Sequence, residues 1–218
     1  MRDKKEISAI VGGIKKFLGK TKPIISHQAS FKVLIATALS ARTRDANTAK
    51  AAKNLFSKYN TPKKLAAAEI KDIEKLIKAS GFYKIKARRI KEISRVLLED
   101  FGGKVPNEID ALVSLPGVGR KTANCVLCYA FNIPAIAVDT HVHRISNRLG
   151  LVKTKNPEET EESLSKTLPK KYWLAINELM VKFGQRMCLP RSPKCGECPI
   201  NSYCDYYENI YLPGKRGA

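Results

Sequence analysis

The chain has 218 residues, of which 40 are Lys or Arg and 20 are Asp or Glu, giving a formal net charge of +20 at pH 7. A charge of this size and sign favours a partner with a phosphate backbone, bound in a salt-dependent way. No hydrophobic run approaches the length of a membrane span, and no secretory signal or lipidation motif is present, which argues against a membrane or secreted protein.

In chain order, the apolar residues recur at helical spacing nearly throughout, and no sustained strand alternation interrupts them. Two amphipathic faces are clear. The first consists of Phe31, Leu34, Ile35, Ala38 and Leu39, and the second of Tyr172, Trp173, Ile176, Leu179, Met180 and Phe183. Thr61-Pro62 and Asn156-Pro157 are typical of a helix cap followed by a proline in the first turn. The sequence therefore predicts an all-α fold.

Residues 107–131 predict two helices joined by a glycine turn. Asn107 is placed to cap the first helix, Pro116-Gly117 ends it, and the second helix begins near Gly119. The two glycines let the backbone approach a ligand closely, and the N–H groups that open the second helix suit a phosphate oxygen. A turn of this kind is also a common plain connection between helices, so by itself it does not decide the function.

Arg120 and Lys121 follow the turn directly, which places two cations at the positive end of the helix dipole. Helix stability alone does not favour charges of this sign there. The amine of Lys121 could serve as the nucleophile of Schiff-base chemistry, or it could simply contact a phosphate. The local sequence leaves both interpretations open.

Asp139 follows the apolar stretch 133–138 and is placed to cap the next helix. The same carboxylate could stabilise a developing positive charge, and the two roles are compatible. His141 and His143 are two residues apart and face different directions on a helix, which disfavours a shared metal ion. We expect His141 to make a hydrogen bond near the site.

Four cysteines close to the C-terminus have the spacing C-x6-C-x2-C-x5-C; they are Cys188, Cys195, Cys198 and Cys204. An intracellular chain would keep them reduced, so a metal centre is favoured over disulfides. Four thiolates suit structural zinc or a [4Fe–4S] cluster, and the spacing does not choose between them on physical grounds. Cys125 and Cys128 lie on the second hairpin helix and are expected to be small buried side chains.

Together these motifs resemble the endonuclease III family of helix-hairpin-helix DNA glycosylases, which also act as AP lyases. The resemblance rests on Leu115-Pro-Gly-Val-Gly-Arg-Lys-Thr-Ala123, on Val138-Asp-Thr-His141 and on the four-cysteine spacing. It implies that Lys121 attacks C1′ of the damaged nucleotide and that Asp139 assists base loss. It also implies that the four cysteines hold a [4Fe–4S] cluster.

The resemblance further implies which residues face DNA: Gly117, Val118, Gly119, Arg120, Arg42, Phe82, His141, Arg191 and Lys194. Phe82 is a candidate wedge for the gap that an extruded base leaves. The Ser40–Asp45 loop would reach the orphaned partner base. Arg42 stands where the family usually has glutamine, and Arg44 where it often has threonine, so the choice of opposite base stays open.

The architecture of the family implies two helical domains. The first is a six-helix domain at about residues 24–135 that contains the hairpin. The second is an iron-sulfur domain that joins residues 1–23 to residues 136–218. A cleft between them would hold both Lys121 and Asp139.

Three functions are compatible with these features. The first is a bifunctional glycosylase and AP lyase that removes oxidised pyrimidines such as thymine glycol from double-stranded DNA and nicks the strand 3′ to the abasic site by β-elimination. The second is an enzyme of the same fold for mispaired or alkylated bases, and the third is a non-catalytic DNA binder with structural zinc. We expect a monomer that acts in the cytoplasm, at the nucleoid, or in the nucleus.

Overall fold

The computed structural model describes residues 2–19 and 29–216, and within these ranges the secondary structure is helical, with no strands. The helices are α1 (Lys4–Leu18), α2 (Ser30–Ser40), α3 (Asp45–Lys58), α4 (Pro62–Ala67), α5 (Ile70–Leu76), α6 (Tyr83–Asp100), α7 (Ile109–Val113), α8 (Arg120–Phe131), α9 (Thr140–Arg148), α10 (Pro157–Thr167), α11 (Trp173–Arg186) and α12 (Leu212–Arg216). Short helical turns lie at Lys170–Tyr172, Cys195–Glu197, Asn201–Tyr203 and Tyr207–Tyr211. The all-α prediction is confirmed, and no helix in these ranges is long and apolar enough to cross a membrane.

The chain forms two compact units. One is Ile24–Ile133, and the other joins Met1–Pro23 to Pro134–Ala218. The boundaries predicted from the sequence lie at residues 23 and 135. The first unit contains Lys121, and the second contains Asp139 and the four cysteines.

In the unit of residues 24–133, α2 packs against α8 and α3, while α6 packs against α4 and α5. The predicted apolar face of α2 is buried, with Leu34, Ile35 and Leu39 fully enclosed and Phe31 nearly so. Burial of these side chains is the main driving force that fixes α2 against its neighbours. The packing of α8 on α2 in turn fixes the end of the glycine turn.

In the other unit, α11 packs against α1 and α9. The helix α1 starts with a capping box in which Asp3 and Glu6 satisfy each other's backbone N–H groups. Its apolar stripe and that of α11 are buried in one core, which includes Ile7, Ile10, Ile14, Ile176, Met180 and Phe183. The cysteine segment begins directly after α11, so the packing of α11 positions it.

The predicted helix starts have two outcomes. Thr61 and Asn156 cap α4 and α10 through their side-chain oxygens, each with proline at the first helical position, as predicted. The prediction that Asn107 caps the first hairpin helix is wrong, since Glu108 occupies the capping position of α7 and makes no side-chain capping bond. The short α7 is therefore held by packing against α8 and by the burial of Leu112.

Candidate active site and cysteine segment

The hairpin connects α7 to α8 through residues 114–119. Val118 is buried, and its N–H donates to the carbonyl of Leu115 at 3.0 Å, which closes the turn. Gly117 has a φ of +68°, a conformation that strongly favours glycine. The N-cap residue of α8 is Gly119, and a Cβ built there would meet no atom within 4 Å. The open space beside Gly119 leaves the start of α8 accessible to a ligand.

Lys121 is the second residue of α8, and its side chain is half-buried. Within the described residues its ammonium makes no hydrogen bond and no ion pair. No side chain caps the first turn of α8, so the backbone N–H groups there are available for an anion. The end of this helix therefore combines an unpaired amine with an anion-binding backbone, as Schiff-base attack on a nucleotide would require.

Arg89 on α6 also reaches the hairpin, and nothing in the sequence around it predicts this position. Its side chain passes so close to Gly117 that a Cβ built on that glycine would lie 2.1 Å from Nε and 2.5 Å from Cζ. Arg89 is exposed, and among the residues that the structure describes its guanidinium has no hydrogen-bond or ion-pair partner. It adds a free cation with five N–H donors to the hairpin surface.

Asp139 is the N-cap of α9, as predicted. Its Oδ1 accepts hydrogen bonds from the N–H groups of His141 at 2.9 Å and Val142 at 2.8 Å. Both bonds fall on one oxygen, and Oδ2 has no hydrogen-bond partner in the described part of the chain. The capping role therefore orients the carboxylate without using its second oxygen.

His141 and Arg144 lie on α9 just behind this carboxylate. A guanidinium nitrogen of Arg144 is 3.2 Å from Nδ1 of His141 and donates to the carbonyl of Cys188 at 2.8 Å. Burial lowers the pKa of Arg144, and its buried Nε has no hydrogen-bond partner among the described residues. A Cβ on Gly184 of α11 would lie 2.4 Å from Nδ1 of His141, so α11 approaches the histidine closely.

The other histidine, His143, is part of the internal packing. Its Nδ1 lies 2.7 Å from Oγ1 of Thr160 on α10. Asn147 donates to its backbone carbonyl at 2.9 Å. The two histidines thus point to different neighbours, as the sequence spacing indicates.

Lys121 belongs to the unit of residues 24–133, and Asp139 belongs to the other unit. Each is described within its own unit. The cleft that would hold both of them stays a prediction.

Arg42 and Phe82 are exposed residues in the two segments expected to face the opened base pair. Arg42 follows α2 and Phe82 precedes α6, and both have left-handed backbones with φ values of 52° and 57°. The guanidinium carbon of Arg42 lies 5.9 Å from the centre of the Phe82 ring, within cation–π range. Phe82 is 59% exposed, which is unusual for a phenylalanine with only a packing role.

The four cysteines after α11 line one cavity with about 370 Å³ of empty space, its open mouth included. None of the four forms a disulfide. Burial raises the pKa of Cys195 and Cys204, and it raises that of Cys198 to about 11. Four soft sulfur donors around one cavity fit an iron-sulfur cluster, whose iron atoms would keep the thiolates deprotonated. Cys125 and Cys128 are buried in the other unit, as expected.

Arg148 links α9 to this cavity. It donates to the carbonyl of Leu189 at 2.7 Å, its Nη1 lies 3.4 Å from Sγ of Cys188, and its guanidinium stacks on Tyr206 at 4.6 Å. A guanidinium in this position would offset the negative charge of four thiolates.

Within residues 2–19 and 29–216, no group of three or more His, Cys, Asp or Glu side chains is arranged around a single metal ion.

The loop between the first two cysteines carries Arg191 and Lys194, and both are exposed. Ser192 between them has a φ of 49°, and the N–H of Lys194 donates to the carbonyl of Met187 at 3.1 Å. The loop is thus held back against the end of α11 while its cations face solvent.

Comparison with known proteins places these features in one family. Residues 35–170 match the HhH-GPD superfamily of base excision DNA repair proteins, and residues 188–204 match the iron-sulfur binding domain of endonuclease III. A protein named Endonuclease III from Thermotoga maritima is 59% identical over 81% of this chain and 83% of its own length. Endonuclease III from Bacillus subtilis is 44% identical over 82% of this chain and 82% of its own length. Endonuclease III from Escherichia coli K12 is 39% identical over 85% of this chain and 88% of its own length.

Solved structures give the same result. A trapped Endonuclease III–DNA covalent intermediate has a TM-score of 0.88 at 38% identity and covers both chains fully. A thermostable thymine-DNA glycosylase has a TM-score of 0.84 at 29% identity, covering 94% of this chain and 97% of its own. The iron-sulfur match decides between zinc and an iron-sulfur cluster, which the cysteine spacing alone left open.

Proposed function

Because the chain belongs to the endonuclease III family of helix-hairpin-helix base excision repair enzymes, we propose that it removes oxidised pyrimidines from double-stranded DNA and then nicks the strand through a Schiff base on Lys121. The family consists of DNA glycosylases with AP lyase activity that carry a [4Fe–4S] cluster. The observation that carries the proposal is the unpaired Lys121 amine at the start of α8, beside the open backbone of Gly119.

In the proposed reaction, the Lys121 amine attacks C1′ and the bond from C1′ to the damaged base breaks. The base leaves with the bonding electrons and takes up a proton. The nitrogen of Lys121 then loses a proton, and the ring oxygen of the sugar leaves C1′ with its bonding electrons and takes up a proton. The imine forms as the sugar ring opens, so no water has to be lost. Removal of a proton from C2′ then expels the 3′ phosphate, which nicks the strand on the 3′ side.

Asp139 is proposed to act on the first of these steps. Its Oδ1 is held by two backbone N–H groups, and its Oδ2 is free to face the positive charge that develops at C1′ as the base leaves. The charge of this carboxylate would thus favour base loss, while its hydrogen bonds keep it in place.

The proposed DNA contacts divide by type. Gly117, Gly119 and Arg120 would grip a phosphate at the hairpin, and Arg191 and Lys194 would do so from the cysteine loop. His141 is proposed to stay near the site by packing under α11. Val118 would act by shaping the turn, because its side chain and N–H are both engaged inside the protein.

The cysteines Cys188, Cys195, Cys198 and Cys204 would hold the [4Fe–4S] cluster. When bound, the cluster supplies cross-links between the ends of this segment. The chain's own residues Arg191 and Lys194 then present their charges from a fixed loop. We propose that the protein works as a monomer on DNA in the cytoplasm or the nucleus.

The proposal is tested by borohydride trapping on a duplex with thymine glycol and on a duplex with an abasic site. Wild-type protein should form a covalent adduct with both, and Lys121→Gln with neither. The exposed Lys153 gives a matched control, since Lys153→Gln removes a cation that lies outside the site. Trapping of Lys121→Gln at the wild-type level would show that another amine is the nucleophile.

Mispaired or alkylated bases are the second candidate substrates. The structural similarity to a thymine-DNA glycosylase favours their inclusion. A panel of duplexes with each lesion opposite each base separates the two candidates. If only the abasic duplex were trapped, the proposed lyase activity would stand, and mispaired or alkylated bases would replace oxidised pyrimidines as the candidate substrates.

A further inference from the structure

Lys86 is a buried lysine to which the proposed chemistry assigns no role. It lies on α6 with 6% of its surface exposed. Its Nζ donates to the carbonyl oxygens of Leu39 and Ala41, each at 2.7 Å. It also lies 2.8 Å from Oγ1 of Thr43 and 2.8 Å from Oγ of Ser80, so its three N–H donors are shared among four oxygens. One ammonium thus contacts the end of α2, the loop after it and the turn before α6.

The acceptors of this ammonium are also bonded to one another. Oγ of Ser80 donates to the carbonyl of Leu39 at 3.1 Å and lies 3.2 Å from Oγ1 of Thr43. The N–H of Gly81 donates to the same Thr43 oxygen at 3.1 Å. The loop of residues 41–44 and the turn of residues 80–82 therefore share one hydrogen-bond network centred on the lysine.

The network holds two strained positions. Arg42 lies between Ala41 and Thr43, and Phe82 follows Gly81, so each is next to a member of the network. Both have left-handed backbones, which side chains such as these rarely adopt unless the surroundings hold them there. A Cβ on Gly81 would lie 3.1 Å from the carbonyl oxygen of Arg42, so the two segments are in close contact.

Burying an ammonium carries a desolvation penalty that an apolar side chain does not have. Burial lowers the pKa of Lys86 to about 8, since an apolar environment disfavours its charge. An apolar side chain of similar length would fill the volume without that penalty. The ammonium is instead matched to acceptors that belong to two surface segments, and this favours a role in holding those segments together.

We propose that Lys86 is a positioning residue that locks the loop of residues 41–44 to the turn of residues 80–82, so that Arg42 and Phe82 enter the opened base pair as one rigid unit. The inference rests on the proposed function and specifies the step that needs this unit. Extrusion of a damaged base from a duplex needs a filled gap. Attack of Lys121 on an abasic site in a single strand needs no such filling, because there is no opposite strand.

The test compares Lys86→Met with Lys91→Met. Lys91 lies on the same helix, and its Nζ donates to the carbonyl of Ala68 at 2.8 Å, away from both segments. Single-turnover excision from a thymine glycol duplex should fall about tenfold to a hundredfold in Lys86→Met, as expected for misplaced groups near a reacting site. Borohydride trapping on a single-stranded abasic oligonucleotide should be unchanged, and Lys91→Met should match wild type on both substrates.

A fluorescent base opposite the lesion gives a readout that general instability would not reproduce. With 2-aminopurine opposite an abasic site, wild-type protein should raise the fluorescence as the base loses its stacking. Lys86→Met should raise it less at saturating protein. This arm measures insertion directly, so it still tests the inference if thymine glycol is not a substrate and the proposed function fails.

Thr43→Val is the second variant, in case Lys86→Met does not fold. It removes the hydroxyl that joins Lys86 to Gly81 while it retains the side-chain volume and both carbonyl bonds of the lysine. It should show the same selective defect to a smaller extent. Equal losses on the duplex and the single strand, or wild-type excision and fluorescence in Lys86→Met, would overturn the proposal.

Discussion

The side chain of Arg89 fills the space above Gly117, where a Cβ on that glycine would lie 2.1 Å from Nε of the arginine. The guanidinium comes from α6, but it lies at the turn between α7 and α8. A cation there and the backbone N–H groups at the start of α8 can bind the same stretch of phosphate backbone. A side chain at residue 117 would have to adopt a positive φ and would also displace the Arg89 guanidinium from this position.

Replacing Arg89 with alanine should reduce the salt dependence of DNA binding. Each phosphate contact contributes about 0.9 to the slope of log Kobs against log salt, so Arg89→Ala should lower that slope by about this amount. Arg88→Ala is the matched control, since Arg88 is exposed on the same helix and is not placed at Gly117. Fluorescence anisotropy across a salt series measures both slopes, and equal changes in the two variants would contradict the role of Arg89.

A side chain at residue 117 should destabilise the protein. Gly117→Ala puts a Cβ on a left-handed residue and into the Arg89 side chain, so the free energy of unfolding should fall by about 1–2 kcal/mol or more. Gly12→Ala should have the opposite sign, because Gly12 lies inside α1 and a Cβ there meets nothing within 4 Å. We expect it to add about 0.5–1 kcal/mol. Urea denaturation compares the two, and equal stability of Gly117→Ala and wild type would contradict the strain expected from the left-handed backbone at residue 117.

The features that sequence predicts well in this chain are local ones. The caps at Thr61 and Asn156 depend on a side chain and an N–H three residues apart, and Asp139 caps α9 in the same local way. The glycine turn and the start of α8 near Gly119 also follow from neighbouring residues. Asn107 fails because Glu108, one residue later, occupies the cap.

The features that sequence does not reveal depend on distant segments. Lys86 bonds to a carbonyl 47 residues away, and in the sequence it is one of several cations on α6. Arg89 lies on the same basic helix, and no feature of the sequence distinguishes it from its neighbour Arg88. Only the packing of α6 beside α2 and the hairpin distinguishes a buried clamp and a phosphate-facing arginine from ordinary surface charges.

The buried ammonium of Lys86 should make stability depend on pH. Its pKa is about 8 in the folded protein and near the ordinary value of 10.5 when unfolded. Between these values the unfolded chain binds more protons, so the free energy of unfolding should rise with pH. Relative to Lys86→Met, wild type should become more stable from about pH 8 to about pH 10.5. Denaturation of both proteins at several pH values measures this difference, and a difference that fell with pH would mean that the acceptors outweigh the burial.

Removal of one ligand should release the iron-sulfur cluster. Cys198→Ala should lose the broad visible absorption and most of the bound iron, and its melting temperature should fall because the cross-links of the segment are lost. Cys128→Ala is the control, since Cys128 is buried on α8 in the other unit. It should retain a full complement of iron. Equal iron loss in both variants would point to general unfolding, and full iron in Cys198→Ala would exclude that residue as a ligand.

Substitutions of Asp139 should separate its capping role from its charge. Asn caps helices about as well as Asp, so Asp139→Asn should keep the acceptor for the N–H groups of His141 and Val142 and change stability by less than about 0.5 kcal/mol. Asp139→Ala should lose about 1 kcal/mol because the cap is removed. Thermal denaturation of the two variants checks this difference.

The same pair of variants should behave alike in catalysis. Both lack the carboxylate charge, so base excision should fall by about 10²-fold or more in each, as for the loss of a group that stabilises transition-state charge. Trapping on a pre-formed abasic site should be less affected, since the base has already left. If Asp139→Asn excised bases at the wild-type rate, the carboxylate would be only a helix cap, and the charge at C1′ would have to be stabilised by another group.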